Sequence, residues 1–319
     1  MKRLVIIDGN ALLHRAYHAL PPLTDPDGTI VNAVYGFASV IIKLYSELKP
    51  THMAVAFDRP VPTFRKILYK DYQAKRPEME DALSSQIPKV QELVKAFGIP
   101  RYEADGFEAD DVIGTVTKMA GDEKIDQVVI VTGDRDLLQL VKDDRVYVYM
   151  PTKGISENKI YGEKEVQDKM GVTPAQIPDL KALAGDSSDN YPGVAGIGPK
   201  TAAQLLGKYG SLERIYRKID EVRSDMADPV AEKLKAGRET ALLFHNLATI
   251  RTDVPVDVDL KKTEIKELDT DEAREFLLKL HFPSLLKRLA SKSGETEKTE
   301  KPVKKKKKVH ADNGQLPLV

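Results

Sequence analysis

The stretch Gly106-Phe107-Glu108-Ala109-Asp110-Asp111-Val112-Ile113-Gly114 sets three carboxylates within four positions, directly ahead of an apolar run. Gly106 reads as a turn and the acids as a helix start, where negative charge favours the positive end of the helix dipole. On that helix Glu108 and Asp111 share one face, and Asp110 lies beside them. Like charges this close repel unless something positive sits between them. A divalent metal ion, which prefers hard oxygen ligands, is the usual compensator. The bland alternative is a solvated acidic helix start, and acids elsewhere in the chain decide between the two.

Three short apolar runs each deliver an aspartate. Residues 4–7 lead into Asp8, residues 53–57 into Asp58, and residues 127–132 into Gly133-Asp134-Arg135-Asp136. Such runs read as buried strands. Gly185-Asp186-Ser187-Ser188-Asp189-Asn190 adds two more aspartates, three apart in a tight turn. Immediately beyond, Gly196-Ile197-Gly198-Pro199-Lys200-Thr201 opens an apolar helix. Pro199 suits a first helical turn. The free N–H groups of that turn, with Lys200 beside them, make a seat for an anion. The pattern matches the hairpin between two helices that grips a phosphate backbone without reading sequence. A Gly-rich helix start with no ligand is the alternative.

The elements that must position these residues follow from periodicity. Helices are expected at about residues 11–20, 32–48, 87–97, from the acidic triplet to about 120, and at 137–141. A fourth strand is expected at 145–149. Strand and helix alternate, which implies a mostly parallel sheet covered on both faces. In such sheets the strand C-termini share one edge, and ligands bind there. Asp8, Asp58, Asp134 and Asp136 therefore converge, and the helix at Glu108 presents its acids to the same edge. From Pro174 the chain becomes helical, with helices within 231–250 and one helix over 271–289. Residues 59–88 interleave basic and aromatic side chains (Phe64, Arg65, Lys66, Tyr69, Lys70, Tyr72, Lys75, Arg76), which suits a surface that grips phosphates and stacks on bases. An exposed amphipathic helix with a polar loop is the alternative there. The organisation expected is a catalytic α/β unit over 1–172 with 59–88 as an insertion, a helical DNA-binding unit over 173–290, and a basic, disordered tail over 291–319.

At 319 residues, 41% apolar and 31% charged, the chain suits a globular protein of one or two domains. It has no cysteine, which removes disulfides and thiolate metal sites and fits a reducing cytoplasm. The apolar residues after Met1-Lys2-Arg3 are too few for a signal peptide. No apolar run approaches the roughly 20 residues of a membrane helix, so a cytoplasmic, nucleoid-associated location is expected. Net charge is zero, but residues 291–319 hold eight lysines against four acids, a net of +4 that leaves −4 on the rest. An acidic body is compatible with nucleic acid if its excess acid is gathered around cations. The run Lys304 to Lys308 adds non-specific DNA affinity.

Together, Asp8, Asp58, Phe107-Glu108-Ala109-Asp110-Asp111, Thr132-Gly133-Asp134-Arg135-Asp136, Gly185 to Asn190 and Gly196 to Thr201 resemble the 5′ nuclease domain at the front of bacterial DNA polymerase I, one of the flap endonucleases. The similarity runs in order over about residues 3–290. It implies a PIN-like 5′ nuclease fold and a helical C-terminal part with a helix-hairpin-helix motif. It also implies hydrolysis of DNA phosphodiesters at 5′ flaps, nicks and 5′ ends in replication and repair. Mg²⁺ or Mn²⁺ would serve as cofactor, two ions or more, with K⁺ as a candidate ion at the hairpin. By position, Asp8, Asp58, Glu108, Asp110 and Asp111 would form the inner metal site, while Asp134, Asp136, Asp186 and Asp189 would hold further metal or its waters. Two metals about 4 Å apart can activate water and stabilise both the attacking and leaving oxygens, so no Ser/His triad is required. Residues 59–88 would match the helical arch through which a single-stranded flap passes, with Lys75 and Arg76 as its catalytic cations and Lys70 and Tyr72 as DNA contacts. Arg65 and Lys181 occupy positions that are basic in some relatives and would reach phosphate. Gly196, Gly198, Lys200 and Thr201 would hold the duplex backbone. Gln73 departs from the pattern, because family members usually carry lysine there.

No polymerase follows residue 290, so a free-standing, monomeric nuclease or a fragment is expected. Gln315, Leu316 and Leu318 resemble the peptide that docks into the bacterial sliding clamp, although Pro317 and Val319 depart from it. A non-catalytic binder of branched DNA would be expected to lack motif carboxylates, and none is missing. A PIN-type RNase gives no reason for the glycine-lysine hairpin. An Asp-x-Asp phosphatase would need a second aspartate where Asp8 is followed by Gly9-Asn10.

Overall fold

In the computed structural model, which describes residues 1–142, 144–153, 157–226 and 228–291, a six-stranded sheet runs through the N-terminal half. Its strands are β1 (Arg3–Asp8), β2 (His52–Ala56), β3 (Arg101–Tyr102), β4 (Gln127–Val131), β5 (Val146–Lys153) and β6 (Glu157–Tyr161), in the spatial order β3-β2-β1-β4-β5-β6. The first five are parallel and β6 is antiparallel. The four expected strands are present. The two unexpected ones lie at the sheet edges, where β3 has only two residues and β6 is a polar five-residue strand.

Alternation along each strand sorts side chains to opposite faces. Leu4, Ile6, Ala54, Ala56, Val128 and Ile130 pack on one face with the helix α6 (Ala109–Asp122) and the helical C-terminal half. Val5, Ile7, Met53, Val55, Val129 and Val131 pack on the other with α1 (Gly9–Ala19), α2 (Asn32–Leu48) and α5 (Ile87–Ala96). Burial on both faces explains why these strands read as continuous apolar runs.

The C-terminal half continues with α7 (Glu163–Met170), α8 (Ile177–Ala184) and α9 (Pro199–Tyr209), then shorter helices. Two expectations change here. Residues 271–289 form two helices, Asp271–Lys279 and Pro283–Ala290, because His281 turns left-handed (φ 53°) ahead of Pro283. Residues 173–290 also do not share one core. Leu268, Leu277, Phe282, Leu285 and Leu289 pack with α2 and α5 on the sheet's second face, so the end of the described chain folds back onto the α/β unit. The tail from 292, with Gln315, Leu316 and Leu318, lies outside the described residues.

The insertion is not a long helical arch. Ahead of α5, helix occupies only α3 (Phe64–Leu68) and α4 (Asp81–Ser84), with turns between them. The apolar periodicity needed for a longer helix is missing, and residue 73 adopts φ 54°, which interrupts helical propagation.

Candidate metal and nucleic-acid site

β1, β2 and β4 are parallel neighbours, so their carboxyl ends open on one edge. There lies a cavity of about 920 Å³ whose walls include Asp8, Asp58, Glu108, Asp110, Asp134, Asp136 and Asp189. Asp8 ends β1 and caps α1, its Oδ1 accepting from the Ala11 N–H at 3.0 Å. Its Oδ2 accepts from the Thr132 hydroxyl at 2.7 Å, and the same hydroxyl accepts from the Asp134 N–H at 2.9 Å. Asp134 Oδ1 then accepts from the Asp136 N–H at 2.8 Å. One chain of hydrogen bonds thus fixes the Asp8 and Asp134 carboxylates and the backbone of Asp136. Asp58 turns its carboxylate onto the start of α6, accepting from the Ala109 N–H at 2.7 Å, while Asn10 holds its backbone at 3.0 Å.

The loop from α8 to α9 brings the remaining acids. Asp186 and Tyr191 pair by two backbone hydrogen bonds, which closes a tight turn around Asp189. A side chain at residue 185 would put Cβ 2.5 Å from the Pro192 backbone, and one at residue 193 would put it 2.3 Å from the Gly185 nitrogen. Both glycines also have positive φ, so this turn requires them. Oxygens of Asp136, Asp186 and Asp189 lie within 4.8 Å of one another.

The crowding is visible in protonation. Burial, then the Asp58 and Asp134 charges, push Asp8 up to about 7 against its hydrogen bonds. Burial raises Glu108 to about 7 despite the Arg65 guanidinium, with Asp111 and Asp58 adding to the rise. Asp136 rises to about 7 through burial and Asp134, opposed by Lys181. Asp110 is raised well above the ordinary range by burial, then by Asp134, Asp8 and Glu108. Buried, mutually repelling acids whose charged forms are disfavoured in this way are a fit for hard divalent cations, which release protons on binding.

Four expected roles change. Asp111 is fully buried and faces away from the cavity. It takes a fork from Arg65 (Nη1 to Oδ2 at 2.6 Å, Nη2 to Oδ1 at 2.8 Å) and the Glu108 and Arg251 N–H groups at 3.1 and 2.8 Å. Its acceptor capacity is spent, so it is a structural anchor and not a metal ligand. Arg65, 3% exposed, is its counterpart; it also pairs with Glu108 Oε2 at 3.2 Å and donates to the Leu247 and Thr249 carbonyls, so its guanidinium is committed to the chain although it lines the cavity. Tyr72, 5% exposed, is buried against the site and donates to Glu108 Oε2 at 3.2 Å, so no face is free for stacking. Lys181 is bound to Asp136 and Asp186.

Of the other insertion cations, Arg59, Lys66 and Arg76 line the cavity, while Lys70 and Lys75 are exposed outside its walls. Gln73 donates to Asp189 Oδ1 at 3.1 Å. At the hairpin, Gly196 has φ 77° and Ile197 is buried; Gly198 caps α9, Lys200 is exposed and Thr201 is half-buried. Thr132 and Asn10 are positioning residues the sequence reading missed. Their only signal was adjacency to the strand-end aspartates.

An α/β sheet whose carboxyl edge opens into a cavity of acids, joined to a helical part with a glycine-lysine hairpin, defines a PIN-like, resolvase-type nuclease. The profile described as 5′-3′ exonuclease, N-terminal resolvase-like domain, matches residues 3–171, and the 5′-3′ exonuclease C-terminal SAM fold matches residues 172–271. The chain belongs to the 5′-3′ exonuclease family. DNA polymerase I of Caldicellulosiruptor bescii is 45% identical over 90% of this chain, and that of Bacillus subtilis 42% over 94%. The chain spans about a third (33%) of the length of these curated relatives. The fold is similar to that of zinc-bound T5 5′-exonuclease (TM-score 0.63, 22% identity, 90% of this chain and 100% of that one). It is also similar to flap endonuclease-1 of Methanococcus jannaschii (TM-score 0.56, 20% identity, 91% of each). Among the described residues no helix is long and apolar enough to cross a membrane.

Proposed function

We propose that this nuclease cuts DNA at 5′ flaps, nicks and 5′ ends, in replication and repair, with divalent cations held in the acid cavity. The observation that carries the reading is the convergence of Asp8, Asp58, Glu108, Asp110, Asp134, Asp136 and Asp189 on one cavity wall. Asp8, Asp110 and Asp134 would hold one cation, with Asp58 and Glu108 at its waters; Asp136, Asp186 and Asp189 would hold a second. The hard oxygen donors suit Mg²⁺ or Mn²⁺. When bound, such ions supply activated water and charge stabilisation at a phosphodiester.

The chain's own side chains do the rest. Thr132 orients Asp8, and Asn10 fixes the backbone at Asp58. Arg76, exposed on the cavity wall, offers a fork to the phosphate entering it. The start of α9 at Gly198, with Lys200 and Thr201, binds the duplex backbone some way along. The Rad2 catalytic core, a fold neighbour with TM-score 0.58, was solved with a DNA substrate, which supports DNA as the polymer bound. K⁺ at the hairpin and clamp docking through Gln315, Leu316 and Leu318 rest on sequence pattern; a clamp pull-down with and without the last five residues tests the latter. A 5′-labelled flap, nick and single strand, digested with Mg²⁺ against EDTA, tests the main proposal. Cutting confined to the branched and nicked duplexes, and only with Mg²⁺, is the result expected. Equal cutting in EDTA would overturn it.

A further inference from the structure

The two ends of the cavity are neutralised differently. Around Asp8 and Asp58 the partners are backbone N–H groups and a hydroxyl. At the other end each carboxylate already has a donor from the chain. The Lys181 ammonium, on the last turn of α8, reaches both Asp136 Oδ1 and Asp186 Oδ2, with 12% of its side chain exposed. Gln73 and, at 3.9 Å, Arg76 take Asp189. The Tyr191 hydroxyl nearby is buried, 3% exposed, and has no hydrogen-bond partner among the described residues.

We propose that Lys181 is the built-in counter-cation of this half-site, filling the place of a divalent ion between Asp136 and Asp186, so that a second divalent ion enters only by displacing it. This rests on reading the cavity as a divalent-cation site. Asp136, Asp186 and Asp189 are close enough to share one ion, and an ammonium and a divalent cation held by the same two oxygens repel each other. Lysine suits the role because its flexible stem lets the charge swing away while the backbone stays fixed, which a forked guanidinium does less readily. The Tyr191 hydroxyl, lacking a partner, is a polar group that a hydrated ion's waters can satisfy. The consequence is ordered filling: the half-site at Asp8, Asp110 and Asp134 takes its ion first, and the Lys181 half-site takes the second at higher concentration.

A merely structural lysine and a competing one predict opposite signs, which makes the metal titration decisive. Mn²⁺ binding to the full chain, without DNA, is followed by electron paramagnetic resonance and calorimetry. Wild type should show a tighter and a weaker class. Lys181→Met, which keeps the stem and loses the charge, should tighten the weaker class at least tenfold. It should also lower the metal-free melting temperature, and added Mn²⁺ should restore it. Lys181→Arg should keep the weaker class weak. A weaker class that stays within twofold of wild type in Lys181→Met, or weakens, overturns the proposal while leaving the cavity reading intact. If circular dichroism shows Lys181→Met misfolded, Lys181→Gln carries the same comparison. Absence of Mn²⁺ binding in wild type overturns both this proposal and the reading beneath it.

Discussion

Replacing Asp111 by Asn should cost stability far more than it costs metal binding. Asp111 accepts both arms of the Arg65 fork and the N–H groups of Glu108 and Arg251, with no exposed surface. Arg65 in turn holds the Leu247 and Thr249 carbonyls. The pair therefore ties the insertion, the start of α6 and the helix Arg238–Ala248 together. Breaking a buried ion pair from one side strands a charge and costs about 3–5 kcal/mol. At about 2–4 °C per kcal/mol for a chain somewhat smaller than this one, the melting temperature should fall by roughly 10 °C. Urea melts of wild type, Asp111→Asn, Arg65→Leu and the double variant Arg65→Leu with Asp111→Leu measure it. The double variant should lose less than the sum of the single losses, because neither charge is left alone. An Asp111→Asn protein that melts like wild type but no longer binds Mn²⁺ would refute the reasoning and restore Asp111 as a ligand.

Asp110→Asn should show the reverse pattern: flap cleavage falls at least ~100-fold, since even groups one step removed from a metal cost 10–100-fold. Its metal-free melting temperature should not fall, because a crowded like charge is gone; a large drop would mean Asp110 has a partner the cavity does not show. The raised acids set a pH dependence. Asp8, Glu108 and Asp136 titrate at about 7 folded but about 4 unfolded, so the folded state holds extra protons between these values. Metal-free stability should therefore decline as pH rises from about 4 through 7, and the melting-temperature gain from Mg²⁺ should be larger at pH 8 than at pH 6. A gain that shrinks with pH would contradict the proton–metal exchange. Lys200→Ala should weaken duplex binding evenly across sequences and lower the salt slope by about 1, whereas an unchanged slope in a fluorescence-anisotropy titration would remove Lys200 from the phosphate contacts.

Much of this was legible in the sequence. The strand-end aspartates were readable because parallel strands must end on one edge, so Asp8, Asp58 and Asp134 converge without any knowledge of side-chain geometry. Helix α2 matches its expected span, residues 32–48, because apolar periodicity sustained over 17 residues leaves little choice. What failed depended on long-range pairing. Glu108, Asp110 and Asp111 are chemically alike in sequence, yet one residue step, about 100° of helix rotation, sends Asp111 into the body and Asp110 to the cavity. Distant partners distinguish them: Arg65, 46 positions away, and the Arg251 N–H, 140 positions away. The same limit hid the role of Lys181, whose partners Asp136 and Asp186 come from separate loops. The basic and aromatic pattern of the insertion says nothing about whether Tyr72 points outward or onto Glu108.

The most direct measurement is anomalous scattering from crystals soaked in Mn²⁺ without DNA. The account predicts one strong peak among the Asp8, Asp110 and Asp134 carboxylates at low Mn²⁺. A second, among Asp136, Asp186 and Asp189, should grow in only at higher concentration, with no peak at Asp111. Manganese bound at Asp111, or absent from the cavity at saturating concentration, would contradict it.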